Sequence, residues 1–115
     1  VARPHAYPAQ DRLAERIRRA LAHRDDVREV RMFGGLSFMV ADRMAVAARR
    51  DGDLLVRVDP ARHEELLARG AVPPHMGEDR PMGSGWLSVP TARLEDDAAL
   101  AAWVEVGIES RDASR

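Results

Sequence analysis

The apolar positions change their period once along the first half of the chain. From about Ala9 to His23, Leu13, Ile17, Ala20 and Leu21 recur at i, i+4, i+7 and i+8, one apolar stripe of a helix. Pro8 suits its first turn, where a missing N–H leaves no bond unmade. Arg12, Glu15, Arg16, Arg18 and Arg19 lie off the stripe, with Glu15 placed to pair with Arg19 one turn on. Asp25 and Asp26 close the helix. The period then falls to two. Val30 and Met32 alternate with Arg31 and Phe33, and Leu36, Phe38 and Val40 with Ser37 and Met39. Gly34-Gly35 between these runs predicts a hairpin turn, because paired glycines take φ > 0 without steric cost. Ala41-Asp42-Arg43 reads as a second turn, Met44 to Ala48 as a strand, and Asp51-Gly52 as a third turn. Leu54, Val56 and Val58 then alternate with Leu55 and Arg57.

Helical signals return at Asp59-Pro60, a capping residue followed by a first-turn proline. Leu66 and Leu67 face inward and Arg69-Gly70 stops the helix. Residues 71–85 carry Pro73, Pro74, Pro81 and three glycines and read as a loop. Trp86 to Val89 predicts a last strand, ended by Pro90. Asp96 and Asp97 open a final helix whose stripe is Leu100, Trp103, Val104, Gly107 and Ile108. The order is α-β-β-β-β-α-β-α. It predicts an α+β domain of two layers, an antiparallel sheet of five or six strands with three helices on one face. The expectation is a single domain over 1–115, its ordered core running from about Tyr7 to Glu109.

Composition narrows the chemistry. A net charge of −1 provides no global field toward nucleic acid or membrane, so any such binding needs a local patch. The absence of cysteine excludes disulfides, thiolate catalysis and Cys-ligated zinc. All 18 basic residues are arginine, which excludes a P-loop or Schiff-base lysine. No apolar run reaches a membrane span, and the expected location is the cytoplasm.

The candidate sites are few. His5, His23, His63 and His75 form no zincin-type pair. His75 with Glu78 and Asp79 has ligand types in one loop, but these residues are read as a polar surface loop. Gly83-Ser84-Gly85 lacks both the nucleophile-elbow and the dinucleotide spacing. No catalytic, cofactor or metal residue is assigned. Arg12, Arg16 and Arg19 form the one helix face able to meet phosphate. The second sheet face is more informative. Arg31, Phe33, Ser37, Met39, Leu55 and Arg57 fall opposite the main aliphatic set, and Trp86 or Leu87 joins them according to register. Arginine among methionine and aromatic residues is the composition of an interface centre. Its expected occupant is a protein partner or a second copy, unless the 71–85 loop covers it.

Taken together, several segments resemble the N-terminal domain of the TfoX/Sxy family. They are Leu13 to Arg18, Arg31-Met32-Phe33-Gly34-Gly35, Leu54 to Val58, Arg80-Pro81-Met82 before an aromatic strand, and Asp96-Asp97 leading to Trp103-Val104. The resemblance runs from about Tyr7 to Glu109. It implies a secretion-chaperone-like α+β domain without known enzymatic activity or cofactor, found in regulators of competence and DNA-uptake genes that act through other proteins. The family usually has a basic residue just after Arg-Pro-Met; Gly83-Ser84 stands there, so no role of that group carries over. The leading expectation is a bacterial, non-catalytic regulatory domain that works by protein binding or self-association. Direct nucleic-acid binding through Arg12, Arg16 and Arg19 is the alternative, and a small-molecule or enzymatic role of the 75–85 loop comes third.

Overall fold

The computed structural model describes residues 7–32, 35–74 and 85–113. The elements are α1 (Pro8–Ala20), β1 (Val27–Met32), β2 (Gly35–Val40), β3 (Arg43–Ala48), β4 (Leu54–Arg57), α2 (His63–Ala68), β5 (Trp86–Val89) and α3 (Asp97–Ala113). Short 3-10 turns at Pro60–Arg62 and Thr91–Arg93 precede α2 and α3. The strands form one antiparallel sheet in the order β1-β2-β3-β4-β5. The fold is the expected α+β arrangement.

Local chemistry sets most boundaries. Asp59 accepts a hydrogen bond from the Ala61 N–H at 3.0 Å, and Asp96 accepts one from Ala98 at 3.1 Å, so both acidic residues cap as their positions predict. Gly70 ends α2 with φ 108. The β2–β3 turn takes φ 50 at Ala41 and 68 at Asp42, the twist that a two-residue hairpin needs, and Arg43 already belongs to β3. α1 is shorter than its apolar period predicts, since Leu21 to His23 form a turn. Glu15 and Arg19 do not pair. Arg18 instead forms a two-pronged bridge to Glu29 on β1 at 2.7 and 2.8 Å, and Arg16 one to Asp97 at 2.9 Å.

The core lies between the sheet and the helices. Leu36, Phe38, Val40, Val46, Leu54, Val56, Leu87 and Val89 cover one sheet face. Leu13 and Ile17 of α1, Leu66 of α2, and Leu100, Trp103, Val104 and Ile108 of α3 pack against it. Trp103 is buried, with the Arg69 guanidinium 4.9 Å from its ring centre. α3 crosses β3 and β4, and α1 rests on α3, β3 and β2.

α3 comes closest to the sheet at Gly107. A Cβ there would collide with the Ala45 carbonyl and lie 3.0 Å from Val46 Cγ1. Ala45 is the extra residue of an irregularity in β3, where the register shifts opposite Phe38 and Met39. Two effects oppose each other in Gly107→Ala. Helix propensity alone favours alanine by about 1 kcal/mol. Forcing a methyl group against a backbone carbonyl costs about 1–3 kcal/mol. The clash should win, and Gly107→Val should cost more than Gly107→Ala in urea unfolding.

The Asp51-Gly52 turn joins β3 to β4 with Gly52 at φ 90, its Cα packed near Ala9 and Thr91. Asp53 follows and accepts the Thr91 N–H at 3.1 Å, tying this hairpin to the chain beyond β5. Burial pushes the Asp53 carboxyl above the usual carboxylate range; Asp51's charge adds to this, while the Thr91 bond opposes it. The folded state therefore binds this proton more tightly than the unfolded chain. Stability should fall as pH rises from the ordinary carboxylate range through Asp53's raised value. Asp53→Asn keeps an oxygen acceptor for Thr91, and thermal melts across pH ~3–7 should show that part of the slope removed.

Candidate interaction surface

The face of the sheet away from the helices is organised by register. Met32 pairs with Gly35, so Gly35 is the first residue of β2 and not half of a turn. Phe33 and Gly34 lie outside the described residues. Val30 stands opposite Ser37, Ser37 opposite Ala47, Ala47 opposite Leu55, and Leu55 opposite Ser88. Val72 extends this row by an isolated bridge to Ser88. Small side chains dominate its centre.

One step along the strands lies a row of different character. Arg28 pairs with Met39 and Met39 with Met44. Arg57 pairs with Trp86 and falls on the same side of the first row. Its guanidinium sits 5.6 Å from the Trp86 ring centre. Met39, Met44, Arg57 and Trp86 are all half-buried, and Arg28 is exposed. Among the described residues Arg57 has no carboxylate partner.

The structure thus joins Met39, Leu55 and Arg57 on one face, as alternation predicts, and the β4–β5 register adds Trp86 and turns Leu87 to the core, but Arg31 is not among them. Arg31 pairs with Leu36 and therefore points to the helix side. There its Nη1 donates to Gln10 Oε1 at 3.2 Å, while Gln10 Nε2 donates to the Ala48 carbonyl at 2.9 Å. The reason lies in the edge position of β1, where the inward row can be polar. Val30 and Met32 resemble core positions only while β1 is read by itself. Leu55 needs a second correction, being 8% exposed. Its side chain is not free for a partner in the isolated chain. Met44 was missed because Ala45 shifts the phase of β3, and a two-residue period cannot show such a shift.

Ser37 is the most unusual group on this face. It is 1% exposed, and its hydroxyl has no hydrogen-bond partner among the described residues. A buried unpaired hydroxyl costs about 1–3 kcal/mol.

The arginine face of α1 is less available than its spacing suggests. Arg16 donates twice to Asp97 and once, at 3.4 Å, to the Glu95 carbonyl. Arg12 lines an open cleft of about 380 Å³ together with Arg16, Thr91 and the carboxylate-bearing Asp51. Arg19 is exposed and unpaired among the described residues.

The family model for the TfoX N-terminal domain matches residues 9–110. The chain belongs to the TfoX N-terminal domain family. A search of curated proteins found no match. Of the segments that resemble the family, Arg31 and Trp103 are placed here at the sheet edge and in the core; Arg80, Pro81 and Met82 lie outside the described residues, as do His75, Glu78, Asp79, Gly83 and Ser84. Met32 and Gly35 form the last described pair of the β1–β2 hairpin. Among the described residues, no three His, Asp or Glu side chains converge on one point, and no helix is long and apolar enough to cross a membrane.

The carboxylates beside Arg12 and Arg16 should keep duplex DNA away. Fluorescence anisotropy at physiological salt is expected to show only weak non-specific association, about 10⁻⁴ M or weaker. Submicromolar binding lost on changing Arg12, Arg16 and Arg19 to Glu would reverse that conclusion.

Proposed function

We propose that this TfoX-type domain is a non-catalytic regulatory module that binds a segment of another protein on the helix-free face of its sheet. The supporting observation is the half-buried row of Met39, Met44, Arg57 and Trp86. Methionine adapts its shape to varied partners, while tryptophan and arginine anchor interfaces. The stacked, carboxylate-free Arg57 selects the partner's chemistry: apolar side chains for the methionines and an acidic group for the guanidinium.

Met39 and Met44 are the positions to test, because both are only partly buried. Met39→Asp with Met44→Asp sets like charges opposite each other across the β2–β3 ladder and should cost about 1–2 kcal/mol while leaving the domain folded. The same pair should abolish capture of an acidic, apolar peptide selected from a library on the wild-type domain. Leu55→Ser is the contrasting variant. It empties a buried position and should cost about 2–4 kcal/mol. A library that yields no peptide, or peptides indifferent to both aspartates, would remove this reading.

A further inference from the structure

The two edges of the sheet are not alike. β5 has its outer side engaged by Val72, whose N–H and carbonyl exchange 2.8 Å hydrogen bonds with Ser88. β1 has nothing on its outer side among the described residues. It is six residues long, without proline, and its pairing with β2 is regular throughout. An open edge of that length is a template for another strand unless its side chains forbid it.

The side chains of β1 forbid all but one central pairing. A second copy joined antiparallel, with its helices on the same side, must place residues of the same sheet face opposite each other. The axis then passes through one residue. Centred on Arg28, Glu29 or Arg31, that residue's charge would face its own copy. Centred on Val30, an apolar residue meets itself, and Glu29 of each copy stands opposite Arg31 of the other. Arg28 then faces Met32. Like charges directly opposite destabilise a ladder and opposite charges support it.

The helix layer leaves room for this. α1 rests on β2, β3 and α3, with β1 reached chiefly by long side chains. Arg18 bonds to Glu29, and Arg31 bonds to Gln10, both on the helix side. These contacts place both charged side chains on the helix-side face of β1.

We propose that the chain pairs with a second copy through the outer side of β1, in the register centred on Val30, joining two five-stranded sheets into one. The surface is separate from the face assigned to a protein partner, and either proposal can fail without the other. The occupant is a second copy because the pattern Arg28-Glu29-Val30-Arg31 is complementary to itself only when reversed.

Sedimentation equilibrium of the wild type, Glu29→Arg and Arg31→Glu tests it. Wild type is expected to dimerise. Each single variant places like charges opposite twice and should weaken dimerisation by about tenfold or more. Mixing the two variants should restore association as a heterodimer. The arginine introduced at position 29 then meets the glutamate introduced at position 31, and the remaining native Arg31 meets the native Glu29. A merely structural role for these residues cannot produce rescue on mixing. Should either variant fail to fold, amide exchange of the wild type decides. Outward-pointing amides between Arg28 and Met32 should gain protection with rising protein concentration, while the Val72–Ser88 edge does not. A wild type that stays monomeric to about 0.5 mM, folded variants that do not associate on mixing, or exchange independent of concentration would overturn the proposal.

Discussion

The contact between Gly107 and the Ala45 carbonyl governs both faces of the sheet. Ala45 is the extra residue of β3, and its carbonyl reaches the backbone of α3 with no space for a side chain between. That approach lets Trp103, Val104 and Ile108 bury themselves over β3 and β4. The same irregularity changes the phase of β3, so that Met44 lies beside Met39 on the opposite face. Without the extra residue, the helix would stand off and the methionine row would lose a member. Packing of the core and composition of the outer surface therefore share one cause.

The charged residues are arranged around this core with the same economy. Arg16 ties α1 to the start of α3, Arg18 ties it to β1, and Arg62 joins Glu65 within α2 and Glu109 on α3. Such exposed pairs each contribute little, because water screens them. Their larger effect is on what remains available. Arginines that hold elements together are not presented to phosphate, which is why an arginine-rich chain need not bind nucleic acid. Hydrogen bonds from Arg18 hold the Glu29 carboxyl below the usual carboxylate range against the effect of burial, with the charges of Arg18 and Arg31 adding to it. Glu29 is therefore ionised at neutral pH at the open edge.

Arg57 is the counter-example. It pairs with Trp86 across two strands, where cation–π contact satisfies the guanidinium face but none of its N–H groups specifically. Ser37 nearby holds an unpaired hydroxyl in a buried row. Of the two, only Arg57 is within a partner's reach, where an acceptor can supply what the fold does not.

Local sequence determined the element order, because period, caps and breakers act within a few residues: Asp59 and Asp96 capped, Gly52 and Gly70 turned, and Leu100, Trp103, Val104 and Ile108 formed the buried stripe they spell out. It also placed Met39, Leu55 and Arg57 on one face, since alternation is a local property of a strand, whereas pairing with β4 decided that Trp86 and not Leu87 joins them. Tertiary structure decided the rest. Arg31 turned to the helix side because β1 is an edge strand paired through Met32 and Gly35, and register depends on the partner strand. Met44 was added for the same reason, with Ala45 supplying the shift, and Leu55 is buried on the face that alternation assigned it. Arg16 chose Asp97, 81 residues away, and Arg18 chose Glu29, 11 residues away, over neighbours on their own helix. Packing brings those carboxylates within reach of the guanidinium forks. Spacing along one helix cannot reveal contacts that exist only once the chain has closed on itself.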